Sequence, residues 1–72
     1  MTPAFHHTGI HGWQFVQWLA EMKSAGLARS DAEAARMLGK SADMIVRYKK
    51  QGTDRTVALA CRALLHRLEP YR

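Results

Sequence analysis

The 72-residue sequence has one cysteine, Cys61, and no apolar run that approaches the ~18 residues of a membrane-spanning helix. A single cysteine excludes an intramolecular disulfide framework and a cysteine metal cluster. Because Cys61 lies among apolar residues, we expect a buried structural thiol, with a reactive thiol as the alternative. The N-terminus also lacks the pattern of a secretory signal. We therefore expect a cytoplasmic protein that does not contact a membrane.

The parts of an enzyme active site are missing as well. The sequence has no glycine-rich phosphate loop, no carboxylate pair spaced for acid–base catalysis and no nucleophile elbow. His6, His7 and His11 could bind a metal, but no acidic or cysteine ligand is near them in sequence, which favours solvated histidines. With Pro3 and no periodicity, residues 1–11 indicate a flexible N-terminal arm. We expect no catalysis, no cofactor and no bound metal.

Acidic residues are scarce in the second half of the chain. From Lys40 onward there are eight Lys or Arg and three acids, whereas the residues before it contain three of each. This imbalance indicates a polyanionic partner, although a solvated basic surface would give the same composition. A chain of this length forms one small domain with about 60% of its unfolded surface buried. It has no room for a sensor domain, so no small-molecule effector is expected.

Residues 30–52 predict two short helices joined by a sharp turn at residues 39–41. Ser30 and Glu33 form a capping-box pattern at the start of the first helix. Gly39 is placed to end that helix with a positive φ, and Ser41 to cap the second helix.

The second of these helices has two different faces. At about 100° per residue, Met44, Ile45 and Tyr48 form an apolar stripe that should pack against the protein. The opposite face should be open to solvent and become cationic toward its end. It carries Ala42, Asp43, Val46, Arg47, Lys49 and Lys50.

One further helix is expected on each side of this segment. The first should begin between residues 9 and 12 and end near residue 25, with an apolar stripe of Phe15, Trp18, Leu19 and Met22. Gly26 followed by Leu27 is typical of a Schellman ending. The last helix, capped by Thr53 or Asp54, should end near residue 68. Its buried stripe should contain Val57, Ala60, Cys61, Leu64, Leu65 and Leu68.

The central segment resembles the helix-turn-helix of the Cro and phage-repressor family, also called the xenobiotic-response-element type. The matching residues are Ala35, Leu38, Gly39, Ser41, Ile45, Tyr48 and Gly52, and residues 55–65 are similar to the helix that follows in the family. The resemblance covers residues 15–68. It implies an all-α, lambda-repressor-like bundle of four or five short helices, here residues 12–69. At Asp31 the family usually has a glutamine that contacts phosphate, so this contact is not expected.

This resemblance implies that the second helix of the motif enters the major groove of DNA. Arg47 is the first candidate for bidentate recognition of a guanine, and Ala42 or Val46 could contact a thymine methyl group. Asp43 could accept from cytosine, but capping of the helix is the favoured role. The predicted base contacts are Ser41, Ala42, Asp43, Val46 and Arg47. The predicted phosphate contacts are Ser30, Lys40, Lys49, Lys50 and Arg55.

A homodimer is expected because one small module buries too little surface for tight specific binding. A two-fold dimer would place two recognition helices about 34 Å apart on an inverted repeat. Trp13 and Val16, on a second apolar line of the first helix, and Leu59 in the last helix are the candidate dimer contacts. Alternatively, the N-terminal arm covers Trp13 and Val16.

The leading hypothesis is a small sequence-specific transcription regulator, most simply a repressor like phage Cro. It would bind double-stranded DNA and act by covering a promoter. The alternative is a helix-turn-helix module of the antitoxin or anti-activator type that binds a protein, which Asp31 and the Trp13 line favour. RNA binding ranks last of the three hypotheses.

Overall fold

The computed structural model describes residues 9–69, which form four α-helices and no strand. The helices are α1 (Gly12–Ser24), α2 (Asp31–Leu38), α3 (Ala42–Gln51) and α4 (Arg55–Leu65). The predicted small all-α bundle is therefore confirmed. The described part of the chain contains four helices rather than five.

Three of the helices begin with the side-chain caps that the sequence indicates. The side chains of Ser30, Ser41 and Asp54 each accept a hydrogen bond from the backbone N–H three residues later, at 3.2, 3.3 and 2.9 Å. Glu33 adds a further hydrogen bond at the start of α2. Its carboxylate accepts from the N–H of Arg29 at 2.6 Å, one residue before the position expected in a capping box.

Three of the helices also end in the same way. Gly26, Gly39 and Arg67 follow α1, α2 and α4 in the left-handed region, with φ of 72°, 71° and 61°. In each case the N–H of the next residue donates to the carbonyl five residues earlier, at 2.9 Å. These are Schellman endings, which satisfy carbonyl groups that a helix leaves free. The predicted turns at Gly26 and Gly39 are confirmed.

The ending at Arg67 corrects the prediction for the last helix. The helix was expected to run to about residue 68, with Leu68 in its buried stripe, but α4 ends at Leu65 and Leu68 is 60% exposed. Once Arg67 adopts a positive φ, the chain turns back and the N–H of Leu68 caps the Ala63 carbonyl. Leu68 therefore does not lie on the buried face of the helix, which contains Val57 and Cys61.

Aromatic contacts join α1 to α3 in the core. Phe15 is fully buried, with its ring centroid 5.4 Å from that of Trp18 and 5.3 Å from that of Tyr48, which it meets edge-on. Trp18 also donates its indole N–H to the carbonyl of Cys61 in α4 at 2.9 Å. The other buried apolar residues are Leu19, Met22, Ala28, Ala34, Ala35, Ile45 and Val57.

The segment before α1 is attached to the turn between α3 and α4. The carbonyl of Ile10 accepts the N–H of Thr53 at 2.9 Å, and the N–H of Ile10 donates to the Thr53 hydroxyl at 3.4 Å. Of the predicted arm, residues 1–11, the structure describes only residues 9–11, and Ile10 is hydrogen-bonded to this turn. Residues 1–8, including His6 and His7, lie outside the described residues, so the flexibility of the arm stays a prediction.

Glycine at position 12 allows α1 to begin against the end of α3. A Cβ atom added to Gly12 would lie 2.4 Å from the carbonyl oxygen of Lys49. Because this neighbour is backbone, it cannot rotate away as a flexible side chain could. The two helices approach so closely only because the side chain is absent.

We predict that Gly12→Ala destabilises the protein by about 1–3 kcal/mol, the usual range for overpacking. Helix propensity alone would predict that the variant is more stable, since alanine in a helix is favoured over glycine by about 0.5–1 kcal/mol. Urea denaturation of the two proteins measures the difference. A variant as stable as the parent, or more so, would show that α1 does not pack closely on α3.

Candidate nucleic-acid interface

α3 is anchored by one face and exposed on the other. Ile45 and Tyr48 are buried and Met44 is half-buried, as the apolar stripe predicts. Around the opposite side, the residues expected at the surface are exposed: Ala42, Asp43, Val46, Arg47 and Lys50. Buried contacts therefore fix the position of a face that is free to meet a partner.

The residues predicted to contact bases lie together on α3. Asp43, Val46 and Arg47 line one shallow depression along the helix, together with Lys50. Val46 is 52% exposed there. The hydroxyl that caps α3 belongs to Ser41, so the Asp43 carboxylate is not needed as the cap.

The residues predicted to contact phosphate are more dispersed. Lys40 is exposed in the turn, Lys50 in the last turn of α3, and Arg55 at the first position of α4. Ser30 is exposed, and its hydroxyl oxygen accepts the helix-capping hydrogen bond of α2. These groups are distributed along the motif rather than gathered at one point.

Lys49 is already engaged by a carboxylate. Its ammonium nitrogen lies 2.5 Å from one oxygen of Asp31, and the ammonium of Lys23 lies 3.2 Å from the other. We call these three residues the Asp31 cluster. It joins the ends of α1 and α3 to the first residue of α2, where the helix dipole also favours a negative charge.

The two lysines compensate the negative charge of Asp31. The hydrogen bond from Lys49, assisted by Lys23, holds the pKa of the Asp31 carboxyl below its ordinary value. The sequence did not predict that Lys23 contacts Asp31. Lys23 and Asp31 are in different helices, so no helical spacing relates them.

The candidate dimer residues are all exposed, with Trp13 at 66%, Val16 at 46% and Leu59 at 59%. On α1, Trp13 and Val16 lie on the side opposite the buried Phe15 and Met22. The alternative that the N-terminal arm covers them stays a prediction, because residues 1–8 of that arm lie outside the described residues.

An apolar groove between α2 and α4 was not anticipated. It has a volume of about 250 Å³ and is lined by Met37, Leu38, Ala60, Ala63, Leu64, Leu68 and Glu69. It exists because α4 ends early and Leu68 turns back toward α2. The sequence signal was weak, since a non-glycine residue, Arg67, makes the turn.

Cys61 has the character of a structural thiol. It is 3% exposed, and burial raises the pKa of the thiol to about 12. Thiolate is the reactive form, so the reactive alternative is disfavoured. Within residues 9–69, no three His, Cys, Asp or Glu side chains are grouped to hold a metal, and no helix is long and apolar enough to cross a membrane.

We predict a specific acid sensitivity for the Asp31 cluster. Because the folded-state pKa of Asp31 is lowered, its contribution to stability is complete above the ordinary value near 4 and is lost as the pH falls through the folded-state pKa. The effect should be small, up to about 1 kcal/mol for each pair, because all three side chains are partly solvated.

Urea denaturation between pH 6 and pH 2 measures this contribution. Below about pH 4, Asp31→Asn should lose less stability than the parent protein. Glu21→Gln, at an exposed position on α1 that forms no ion pair with the described residues, is the matched control. Identical acid profiles for Asp31→Asn and the parent would contradict the ion pairing.

Comparisons of this chain with protein-family models, with curated proteins and with solved structures give no match. Its function is therefore inferred from its own residues.

Proposed function

We propose that this protein is a small sequence-specific DNA-binding transcription regulator. It acts most simply as a Cro-like repressor that binds an inverted-repeat operator as a homodimer through the major groove. The proposal rests on the two different faces of α3, one buried and one exposed. Ile45 and Tyr48 fix the helix from behind, while Asp43, Val46, Arg47 and Lys50 are exposed along its outer side.

The outer face of α3 has the side chains that base recognition needs. A single α-helix fits the major groove of B-DNA. Arg47 offers two parallel N–H donors for a guanine, Val46 an apolar surface for a thymine methyl group, and Asp43 an acceptor for cytosine. All three line the same depression, so one docked duplex would meet them together.

Cations flank this face at several points. Lys40 precedes it in the turn, Lys50 ends it, and Arg55 lies at the N-terminus of the next helix, whose dipole adds to its attraction for phosphate. Contacts of this kind set the register of the protein on DNA, and the few base contacts then select the sequence.

Operator binding tests the proposal. A binding site selected from random oligonucleotides should be bound by the parent protein with an affinity that falls about a thousandfold between 50 and 200 mM salt, if roughly six phosphates are contacted. Arg47→Ala should weaken binding to that site by about 1–3 kcal/mol and relax selectivity at one base pair.

Arg62→Ala is the matched control, since it removes the same charge from an exposed position on α4. It should leave the selected sequence unchanged. If the parent, Arg47→Ala and Arg62→Ala bound all oligonucleotide sequences with equal affinity, the claim of sequence recognition would fail.

We further propose that the homodimer forms through the exposed apolar residues Trp13, Val16 and Leu59. Trp13→Ser should shift the protein toward monomer in sedimentation equilibrium and weaken operator binding, because one module buries only about 600–1,000 Å² on DNA. Met37→Ser, at an exposed apolar position in the α2–α4 groove, is the control. Dissociation by Met37→Ser alone would place the interface elsewhere.

A second candidate function is supported by the same exposed surface. Trp13, at 66% exposure, is a large aromatic residue of the kind that forms the centre of protein–protein contacts. A module of the antitoxin or anti-activator type would use it to bind another protein. Co-purification of a stoichiometric partner, together with no salt-sensitive affinity for DNA, would favour this function over the first.

A further inference from the structure

The Asp31 cluster places two lysines from different helices on one carboxylate. Lys23 comes from the last turn of α1 and Lys49 from the last turn of α3, and each ammonium contacts its own oxygen of Asp31. Both carboxylate oxygens are thus engaged. A DNA phosphate group presents the same kind of anionic oxygens to an ammonium group.

The cluster lies at the border of the outer face of α3. Lys49 follows Val46 by three residues, so the two side chains are neighbours on the helix surface. Asp31 follows Ser30, one of the candidate phosphate contacts. A duplex that reached Val46 would therefore approach the cluster.

These ion pairs are weak enough for a DNA phosphate to take the place of the Asp31 carboxylate. The side chains of Lys23, Lys49 and Asp31 are 49%, 37% and 35% exposed. Pairs this exposed contribute roughly 0.2–1 kcal/mol each, so a phosphate could displace the carboxylate. The exchange would gain little, however, because DNA affinity arises from salt counterions released when free cations neutralise phosphates. A lysine that is already paired must first give up its carboxylate.

We infer that Asp31 is an internal competitor for DNA phosphate, which withholds Lys23 and Lys49 and so limits the DNA affinity of the domain. This inference rests on the proposed function. It gives Asp31 a role at the position where the resembling family usually has a phosphate-contacting glutamine. The carboxylate weakens non-selective attraction to the DNA backbone and leaves the base contacts of α3 unchanged.

Asp31→Asn is the direct test because it removes the charge and nearly preserves the shape. At about 0.1 M salt, each lysine that is freed should tighten DNA binding by up to about tenfold and steepen the slope of log affinity against log salt by about 0.9. Glu21→Gln removes the same charge from an exposed position on α1 that forms no ion pair with the described residues, and its slope should match the parent. Asp31→Ser repeats the test in case asparagine disturbs the first turn of α2.

A double-mutant cycle identifies the lysine. Lys49→Gln should cost up to about tenfold more affinity in the Asp31→Asn background than in the parent, because only there is the ammonium free for phosphate. Asp31→Glu keeps the charge and should restore the shallow slope. Equal costs of Lys49→Gln in the two backgrounds, or equal slopes for Asp31→Asn and Glu21→Gln, would overturn the inference.

Elution from immobilised heparin separates this inference from the proposed function. Heparin presents anionic groups without a base sequence, so Asp31→Asn should elute at higher salt than Glu21→Gln even if the protein recognises no operator. Loss of operator selectivity with the heparin difference intact would remove the proposed function alone. Operator selectivity without a heparin difference would remove the competitor role alone.

Discussion

The contact between Phe15 and Tyr48 is the constraint on which the rest of the structure depends. Phe15 is fully buried, and its ring meets the tyrosine edge-on at 5.3 Å, so α3 is fixed to α1 by a directional contact in addition to burial. Gly12 extends this attachment by letting the start of α1 touch the Lys49 carbonyl. An eleven-residue helix such as α4, or the ten-residue α3, is only marginally stable alone in water, so these tertiary contacts are what hold α3 in place.

The ion pairs of Asp31 are a second constraint, and they reduce the number of free cations that a DNA-binding surface would need. A basic domain gains affinity for DNA from every free cation, yet Lys23 and Lys49 are held at Asp31. The Asp31 cluster joins the ends of α1 and α3 to the start of α2, although its exposed pairs contribute little stability. Its larger consequence is therefore for the charge offered to a partner: Lys49 on the motif and Lys23 on α1 are neutralised in part by an acid of the same chain.

Local signals in the sequence predicted most of the fold. Ser30, Ser41 and Asp54 cap helices through hydrogen bonds to residues three positions away, and Gly26 and Gly39 provide the left-handed turns, so short windows of sequence contain the information. The prediction for Leu68 was wrong because Arg67, which gives no sign of a positive φ, ends α4. Tertiary pairings such as Lys23 with Asp31 could not be found, since no periodicity connects residues in separate helices. The exposure of Arg47 followed from helical phase, whereas the engagement of Lys49 did not.

The chemistry of the two exposed surfaces separates the two candidate functions. A protein partner that covered the outer face of α3 would have to desolvate Asp43, Arg47 and Lys50, which is costly unless each charge meets a partner of fitting geometry. Duplex DNA supplies such partners as a regular array of phosphates and base-edge donors and acceptors. Trp13 and Val16 present the reverse case, an uncharged apolar surface that a second protein chain would bury favourably and that DNA phosphates would not. The proposed nucleic-acid function would therefore use α3 and the proposed protein contact α1, so a DNA-binding dimer would use both surfaces without competition between them.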